Sequence, residues 1–339
     1  MTPIISYLQD GHLPQNTKEA KKIKKRAARF TILNDALYKR GFSMPYLKCV
    51  DEEEARYILE EIHRGVCGDH AGPRSLVNKV VRTGYFWPTM QVDAAEIVKR
   101  CDKCQKYGNV QRLPAERLTT IASPWLFAQW GIDIVDPLPQ GKGQVKFLLV
   151  AIDYFTKWVE AEALATITEA QIQSFVWKNI ICRFGIPLVI ISDNGRQFDS
   201  QGFREFYSNL GIKNQFSSLG HPQANGQTEV TNQTLLKIIK TKLDDAKGAW
   251  PEELPNVLWA YRTTDRTPTG ETPFKLTYGT EAVIPVEVGV TSTRRAAFSE
   301  EENDDKLRLN LDYLDEVREE AFCQMTKYQR KMAEYYNKG

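Results

Sequence analysis

Trp130-Gly131-Ile132-Asp133-Ile134 puts apolar side chains on one face of a strand and a carboxylate on the other, the period-two pattern of a half-buried strand. Downstream, Phe147 to Ile152 is uniformly apolar, as expected of a strand covered on both faces, and Trp158-Val159-Glu160-Ala161-Glu162 alternates again. These three runs predict a meander. Ile172, Phe175, Val176 and Ile180 then recur at helical spacing until Gly185 and Pro187 stop the helix. Leu188-Val189-Ile190-Ile191 reads as a strand reached by a crossover, hence parallel to a neighbour. A helix near 200–210, a short strand near Lys213–Phe216 and a long helix from about Gln223 complete the expected α/β fold: a mixed five-stranded sheet with helices on both sides.

Three acids stand out against this frame. Asp133 lies in the first quoted run, Asp193 opens Asp193-Asn194-Gly195, and Glu229 follows His221-Pro-Gln-Ala-Asn-Gly-Gln-Thr, with 35 residues between it and Asp193. Singly, Asp193 reads as a turn residue and Glu229 as a solvated helix position. Delivered together from two strands and a helix, such carboxylates repel unless cations lie between them. Hard oxygen donors suit Mg²⁺ or Mn²⁺. Two such ions clamp the attacking and leaving oxygens of an in-line phosphoryl displacement.

Upstream, His63, His70, Cys101 and Cys104 have the spacing of a closed tetrahedral zinc site, with imidazole and thiolate the ligands that zinc prefers. Cys67, between the histidines, is an alternative to His63. The surrounding unit, an acidic helix start at Asp51-Glu-Glu-Glu and a limited set of apolar residues, is small enough to depend on bound metal for its fold.

At these residues the chain resembles the integrases of LTR retrotransposons, the gypsy class above all. The resemblance rests on Trp-Gly-Ile-Asp at 130–133, Asp-Tyr-Phe-Thr-Lys-Trp at 153–158, Ser-Asp-Asn-Gly at 192–195 with Gln197-Phe198, His-Pro-Gln-Ala-Asn-Gly-Gln-Thr-Glu at 221–229, and Gly-Tyr-Phe-Trp-Pro at 84–88. It implies a ribonuclease-H-like catalytic core and a His-His-Cys-Cys zinc module that assigns His63, His70, Cys101 and Cys104 as ligands. It also implies Asp133, Asp193 and Glu229 as the Mg²⁺- or Mn²⁺-binding triad of an enzyme that processes DNA 3′ ends and transfers them into target DNA. That enzyme is a polynucleotidyl transferase with endonuclease activity, cut from a polyprotein. Around the triad, Asn225, Gln227, Gln233, Lys237 and Lys240 are candidates for DNA contacts, the last three on the helical stripe of Glu229. An exposed helix surface is the plain reading of those three. A ribonuclease H, or an inactive, domesticated DNA-binding remnant of an integrase, are the rival readings.

The expected organisation is an N-terminal extension over 1–49, in which Asn34-Asp35 reads as a turn between two short strands, the zinc module over 50–108, a linker over 109–124, the catalytic core over 125–285 and a C-terminal helix over 286–339. In that last part Leu307, Leu311, Leu314, Ala321, Met325, Tyr328, Met332 and Tyr335 advance by fours and threes, with Arg318 interrupting the seam, which suits one long helix packed on the core or on a coiled-coil partner. No run is long and apolar enough for a membrane span, and the N-terminus is polar, so no membrane role and a nuclear site of action on DNA are expected, with homo-oligomers. Six irregularly placed cysteines suggest no disulfide framework. The net charge of +2 hides a polarity between the chain ends. Lys18, Lys21, Lys22, Lys24, Lys25, Arg26 and Arg29 crowd one stretch, and Glu300 to Asp305 form an acidic run. The basic cluster has two readings: a phosphate-neutralising surface, or a solvated helix face, the latter favoured by the absence of interleaved aromatic residues.

Overall fold

The computed structural model describes residues 2–41, 46–106, 123–135, 138–192, 198–216, 226–243, 247–290, 292, 296 and 299–337, with backbone alone at 226–229 and at some other helix positions. Its contacts divide the chain into two compact units, Met1–Arg100 with Val283–Leu307 and Cys101–Ala282 with Arg308–Gly339.

The first unit begins with helices α1 (Thr2–Asp10) and α2 (Thr17–Ala27). Strands β1 (Phe30–Leu33) and β2 (Ala36–Arg40) form the hairpin expected at Asn34-Asp35. Both turn residues are left-handed, with φ of 48° and 58°, as a two-residue hairpin of matching twist requires. β3 (Tyr46–Cys49) adds antiparallel to β2, and β4 (Tyr85–Phe86) adds parallel to β3, with Lys48 opposite Tyr85. One sheet thus joins the segment read as an extension to the segment read as the zinc module. Helices α3 (Glu52–Arg64), α4 (Pro73–Arg82) and α5 (Met90–Arg100) complete that module. The acidic start of α3 is a capping box, in which Asp51 accepts from Glu54 N at 2.8 Å and Glu54 reaches back to Asp51 N at 3.4 Å. Late in the chain, Val283–Leu307 returns to this unit. There the Tyr85 hydroxyl donates to the Val290 carbonyl, and the buried Glu287 carboxylate accepts from Ile284 N at 3.0 Å and Ser292 Oγ at 2.6 Å.

The second unit starts with a short helix, α6 (Asp102–Lys106), and holds the five-stranded sheet. β5 (Gln129–Val135) pairs antiparallel with β6 (Phe147–Asp153), and β6 with β7 (Val159–Leu164), the expected meander. β8 (Val189–Ser192) lies parallel to β5, and β9 (Lys213–Phe216) parallel to β8. The order β7-β6-β5-β8-β9 is the ribonuclease-H-like arrangement. Strand alternation divides the core in two. On one face Trp130, Ile132, Leu149 and Ala151 meet Ile172 and Phe175 of α7 (Glu169–Phe175) and Phe203 and Tyr207 of α9 (Gln201–Leu210). A π turn over Val176–Ile181 joins α7 to α8 (Cys182–Phe184), a detail that apolar periodicity does not signal. On the other face Leu148, Val150 and Ile152 meet Leu235, Ile238 and Ile239 of α10 (Gly226–Leu243) and Trp250 and Val257 of α11 (Trp250–Arg262).

The 153–158 motif is a structural turn. Asp153 is fully buried and its carboxylate accepts from Phe127 N at 3.1 Å, Thr156 N at 2.7 Å and Thr156 Oγ1 at 2.6 Å, tying the entry of β5 to the β6–β7 connection. Lys157 is left-handed at φ 62° and its Nζ donates to the Tyr154 carbonyl at 2.7 Å. Buried Glu160 beside it is satisfied by Arg183 at 2.8 Å, Arg262 at 3.0 Å and Trp158 Nε1 at 2.7 Å.

The expected single C-terminal helix is two, Glu300–Asp312 and Leu314–Asn337. At the junction Leu314 turns inward beside Gly279. Ala321 and Met325 continue the buried seam, so this half packs on its own unit, whereas Leu307 and Leu311 stay exposed. Arg318 interrupts the seam for a reason. Its guanidinium donates to the Leu276 carbonyl at 3.1 Å and the Thr277 carbonyl at 3.4 Å, capping the end of α12 (Pro273–Tyr278).

Candidate functional site

The buried side of α3 carries Ala55, Ile58, Leu59 and Ile62, and His63 sits on it at the last turn, 1% exposed. The chain then doubles back. His70, left-handed at φ 51°, donates its backbone N–H to the His63 carbonyl at 3.3 Å, and the two rings meet edge to face with centroids 4.8 Å apart. Cys101 follows α5 directly and Cys104 lies one turn into α6. The donor atoms of His63, His70, Cys101 and Cys104 all fall within 4.8 Å of one another. A tetrahedron with ordinary Zn–N and Zn–S lengths has edges of about 3.3–3.8 Å, so this donor set fits one zinc ion after movements of about an ångström. Burial, with Arg64 adding and Asp69 opposing, holds the His63 imidazole down at about 4. At neutral pH it is therefore neutral, the form that ligates zinc. Cys67 is buried but outside the converged group, and its carbonyl accepts from the buried Lys79 Nζ at 2.7 Å. The Gly84–Pro88 motif supplies core, with Tyr85 and Trp87 buried and Trp87 Nε1 donating to Asp93 at 2.7 Å.

In the second unit, the strand pleat turns Asp133 away from the cluster of Trp130 and Ile132 and toward α10. One carboxylate oxygen, Oδ1, accepts from Ile134 N at 2.9 Å and the other, Oδ2, from Asn232 Nδ2 at 2.6 Å. Asn232 is 7% exposed, and its own carbonyl oxygen has no hydrogen-bond partner among the described residues. A hard, buried acceptor beside a carboxylate is a setting that a hydrated cation satisfies, so the residues present here fit Mg²⁺ or Mn²⁺. Glu229 lies in the first turn of α10, one turn before Asn232, and its side chain is outside the described residues. Asp193 is next in sequence after the last residue of β8 and, with Asn225, also lies outside them, as does the side chain of Gln227. Gln233 and Lys240 are exposed on α10 and Lys237 half-buried, on the side away from Leu235 and Ile238. Asn232 escaped the sequence reading because an asparagine inside a helix is an unremarkable polar residue. The available signal was its place on the buried stripe with Leu235, Ile238 and Ile239, three residues after Glu229.

Two families match the chain: "Integrase zinc binding domain" over residues 50–110 and "Integrase core domain" over residues 127–222. The chain is a homologue of retrotransposon and retroviral integrases. Gypsy retrotransposon integrase-like protein 1 of Mus musculus is 28% identical over 277 residues, 80% of this chain and 52% of that protein. The Gag-Pol polyprotein of Koala retrovirus is 31% identical over 230 residues, 67% of this chain and 13% of the polyprotein. The chain thus spans about half the length of the first relative and far less of the second. Among solved structures, the simian T-cell lymphotropic virus intasome in complex with PP2A regulatory subunit B56 gamma aligns over 67% of this chain and 78% of that one, at 21% identity and a TM-score of 0.44. The His and Cys cluster falls inside the zinc-binding domain, and β5, β8 and Asp133 fall inside the core domain. None of the six cysteines is in a disulfide, and among the described residues no helix is long and apolar enough to cross a membrane.

Proposed function

We propose that this chain is the integrase of a gypsy-class retrotransposon polyprotein, processing DNA 3′ ends and joining them to target DNA in the nucleus as a homo-oligomer. The reading rests on one observation: Asp133, at the heart of the core-domain sheet, is gripped by α10, the helix that carries Glu229, while its strand is paired with β8, which leads to Asp193. Asp133, Asp193 and Glu229 would hold Mg²⁺ or Mn²⁺. When bound, such ions supply positive charge to the attacking and leaving oxygens of an in-line displacement. The chain's own contribution is position. Two hydrogen bonds fix the rotamer of Asp133, and the contact from Asn232 fixes the register of α10 against β5. Water attacks in the first step and the freed 3′ hydroxyl in the second, so one constellation serves both reactions and also accounts for an endonuclease activity. His63, His70, Cys101 and Cys104 hold a structural zinc. Gln233, Lys237 and Lys240 on α10, with Asn225 and Gln227 before and in its first turn, contact DNA. We take 50–108 as the zinc module and 125–285 as the catalytic core.

The decisive experiment is strand transfer of a labelled DNA end by the wild type and by Asp193→Asn. The expected result is joined product from the wild type and at least roughly a hundredfold slower joining by the variant, with its zinc content and fold unchanged. Near-normal joining by Asp193→Asn would remove the triad from the reading. DNA binding without product by the wild type would favour the inactive remnant, and cleavage of an RNA strand would favour a ribonuclease.

A further inference from the structure

The basic cluster with two readings is the outer face of a folded helix. α2 starts at Asn16, whose side chain accepts from Lys18 N at 3.0 Å and Glu19 N at 3.5 Å, and it is held from behind. Ala27 is buried with Ile4 of α1 and Phe30 and Leu37 of the sheet, while Ala20 and Ile23 on the same side are half-buried. At about 100° per residue, Lys18, Lys21, Lys22 and Lys25 fall on the opposite side, within about 100° of one another. All four are exposed. Arg29 lies just past the helix end, and Arg40 beside it donates its backbone N–H to the Arg29 carbonyl at 2.8 Å. Both arginines are exposed, so the row runs from the helix onto the sheet.

Among the described residues none of these six cations belongs to an ion pair. That separates the row from an ordinary solvated helix face, where opposite charges three and four residues apart support each other. Elsewhere in the chain such pairs occur, as Arg56 with Glu52 and Arg330 with Glu334. Here like charges recur at those spacings and repel, an arrangement that a polyanion relieves. Lys18 to Arg29 covers about 16 Å of helix axis, with a cation at nearly every turn, against a DNA strand that presents a phosphate every ~3.4 Å.

We propose that α2, with Arg29 and Arg40, is a sequence-independent binding surface for the phosphodiester backbone of duplex DNA, separate from the candidate triad. The proposal rests on the integrase reading only in taking DNA as the polyanion. The missing aromatic residues, which favoured the plain reading of the cluster, exclude base stacking and leave phosphate contacts, which need none.

The test uses the full chain and a random-sequence duplex, with affinity read by fluorescence anisotropy across roughly 50–200 mM salt. The variant combines Lys18→Gln, Lys21→Gln, Lys22→Gln and Lys25→Gln, since Gln matches Lys in helix propensity and α2 should persist by circular dichroism. We expect at least a tenfold loss of affinity and a salt slope shallower by about 3, with the corresponding four-Arg variant binding like the wild type. Unchanged affinity and slope in the Gln variant would overturn the proposal, as would an Arg variant as weak as the Gln variant. So would loss of self-association without DNA and with the DNA slope intact, which would assign the row to the acidic Glu300–Asp312 helix of a second copy. The two readings fail separately. A wild type that joins no ends, yet whose salt slope falls on neutralisation, loses the integrase reading and keeps the surface. Normal joining with an unchanged slope does the reverse.

Discussion

The zinc-binding domain and the core domain place their candidate functional side chains oppositely. In the first, His63, His70 and Cys101 are buried, and the site is the centre of the fold. In the second, two apolar clusters cover both faces of the sheet, and Asp133 is a half-buried polar group at the border of one of them. One domain is held by its ligand set and the other holds its ligand set. A change at the site should therefore unfold the first and merely silence the second.

The largest test of this contrast is Cys104→Ser. Structural zinc is worth on the order of 10–16 kcal/mol in small metal-dependent folds, so the variant should lose its metal in elemental analysis and lose amide protection over 50–106 while β5, β6 and β8 keep theirs. Retained stoichiometric zinc would give the fourth position to another group, with Cys67 the nearest candidate in sequence. Next in size is Phe175→Ala, which removes a fully buried ring from one face of the core sheet. It should destabilise the core domain by about 3–5 kcal/mol in chemical denaturation and leave zinc content intact. If zinc were lost as well, the contrast would fail.

The smallest effect is a pH dependence at Asp153. Burial raises its carboxyl to about 6, against the hydrogen bonds from Thr156 and the charge of Lys157. A raised folded value means that its contribution is fully present below the unfolded value near 4 and is lost as pH rises through about 6. Lys157, lowered to about 8 by burial with Asp153 opposing, has the reverse sign, its contribution being lost as pH falls through about 8. Between pH 4 and 6.5 the carboxyl dominates. Core-domain stability relative to Asp153→Asn should therefore decline by about 2 kcal/mol over that window. A flat difference between the two proteins would show the carboxylate to be better compensated by its hydrogen bonds than its burial suggests.

Much of both domains was legible because their signals are local. The β5–β7 meander follows from alternation at Trp130–Ile134 and Trp158–Glu162, and the hairpin from Asn34-Asp35. The capping box at Asp51 and Glu54 marks the start of α3, and His63 falls on that helix's apolar stripe. What escaped depends on distant partners. β4 is two residues long and exists only because Lys48 lies opposite Tyr85. The π turn leaves no trace in apolar spacing. Arg318 broke the C-terminal seam for carbonyls of α12, and Asn232 owes its role to Asp133 on another element. Two family strings lie partly outside the described residues, at 193–197 and at 221–225, so Asp193 and Asn225 stand on sequence alone.

The return of Val283–Leu307 to the first unit has a consequence for biosynthesis. The hydroxyl of Tyr85 finds its acceptor at Val290 only after the whole core domain has emerged from the ribosome. At ordinary elongation rates that is a delay on the order of ten seconds or more. During it α3 lacks the Val286–Gly289 segment that packs against it, and Tyr85 lacks its acceptor. The earliest part of the chain to be made is thus among the last to be finished, and a nascent chain released before Val290 would carry the complete set of candidate zinc ligands in an unclosed fold.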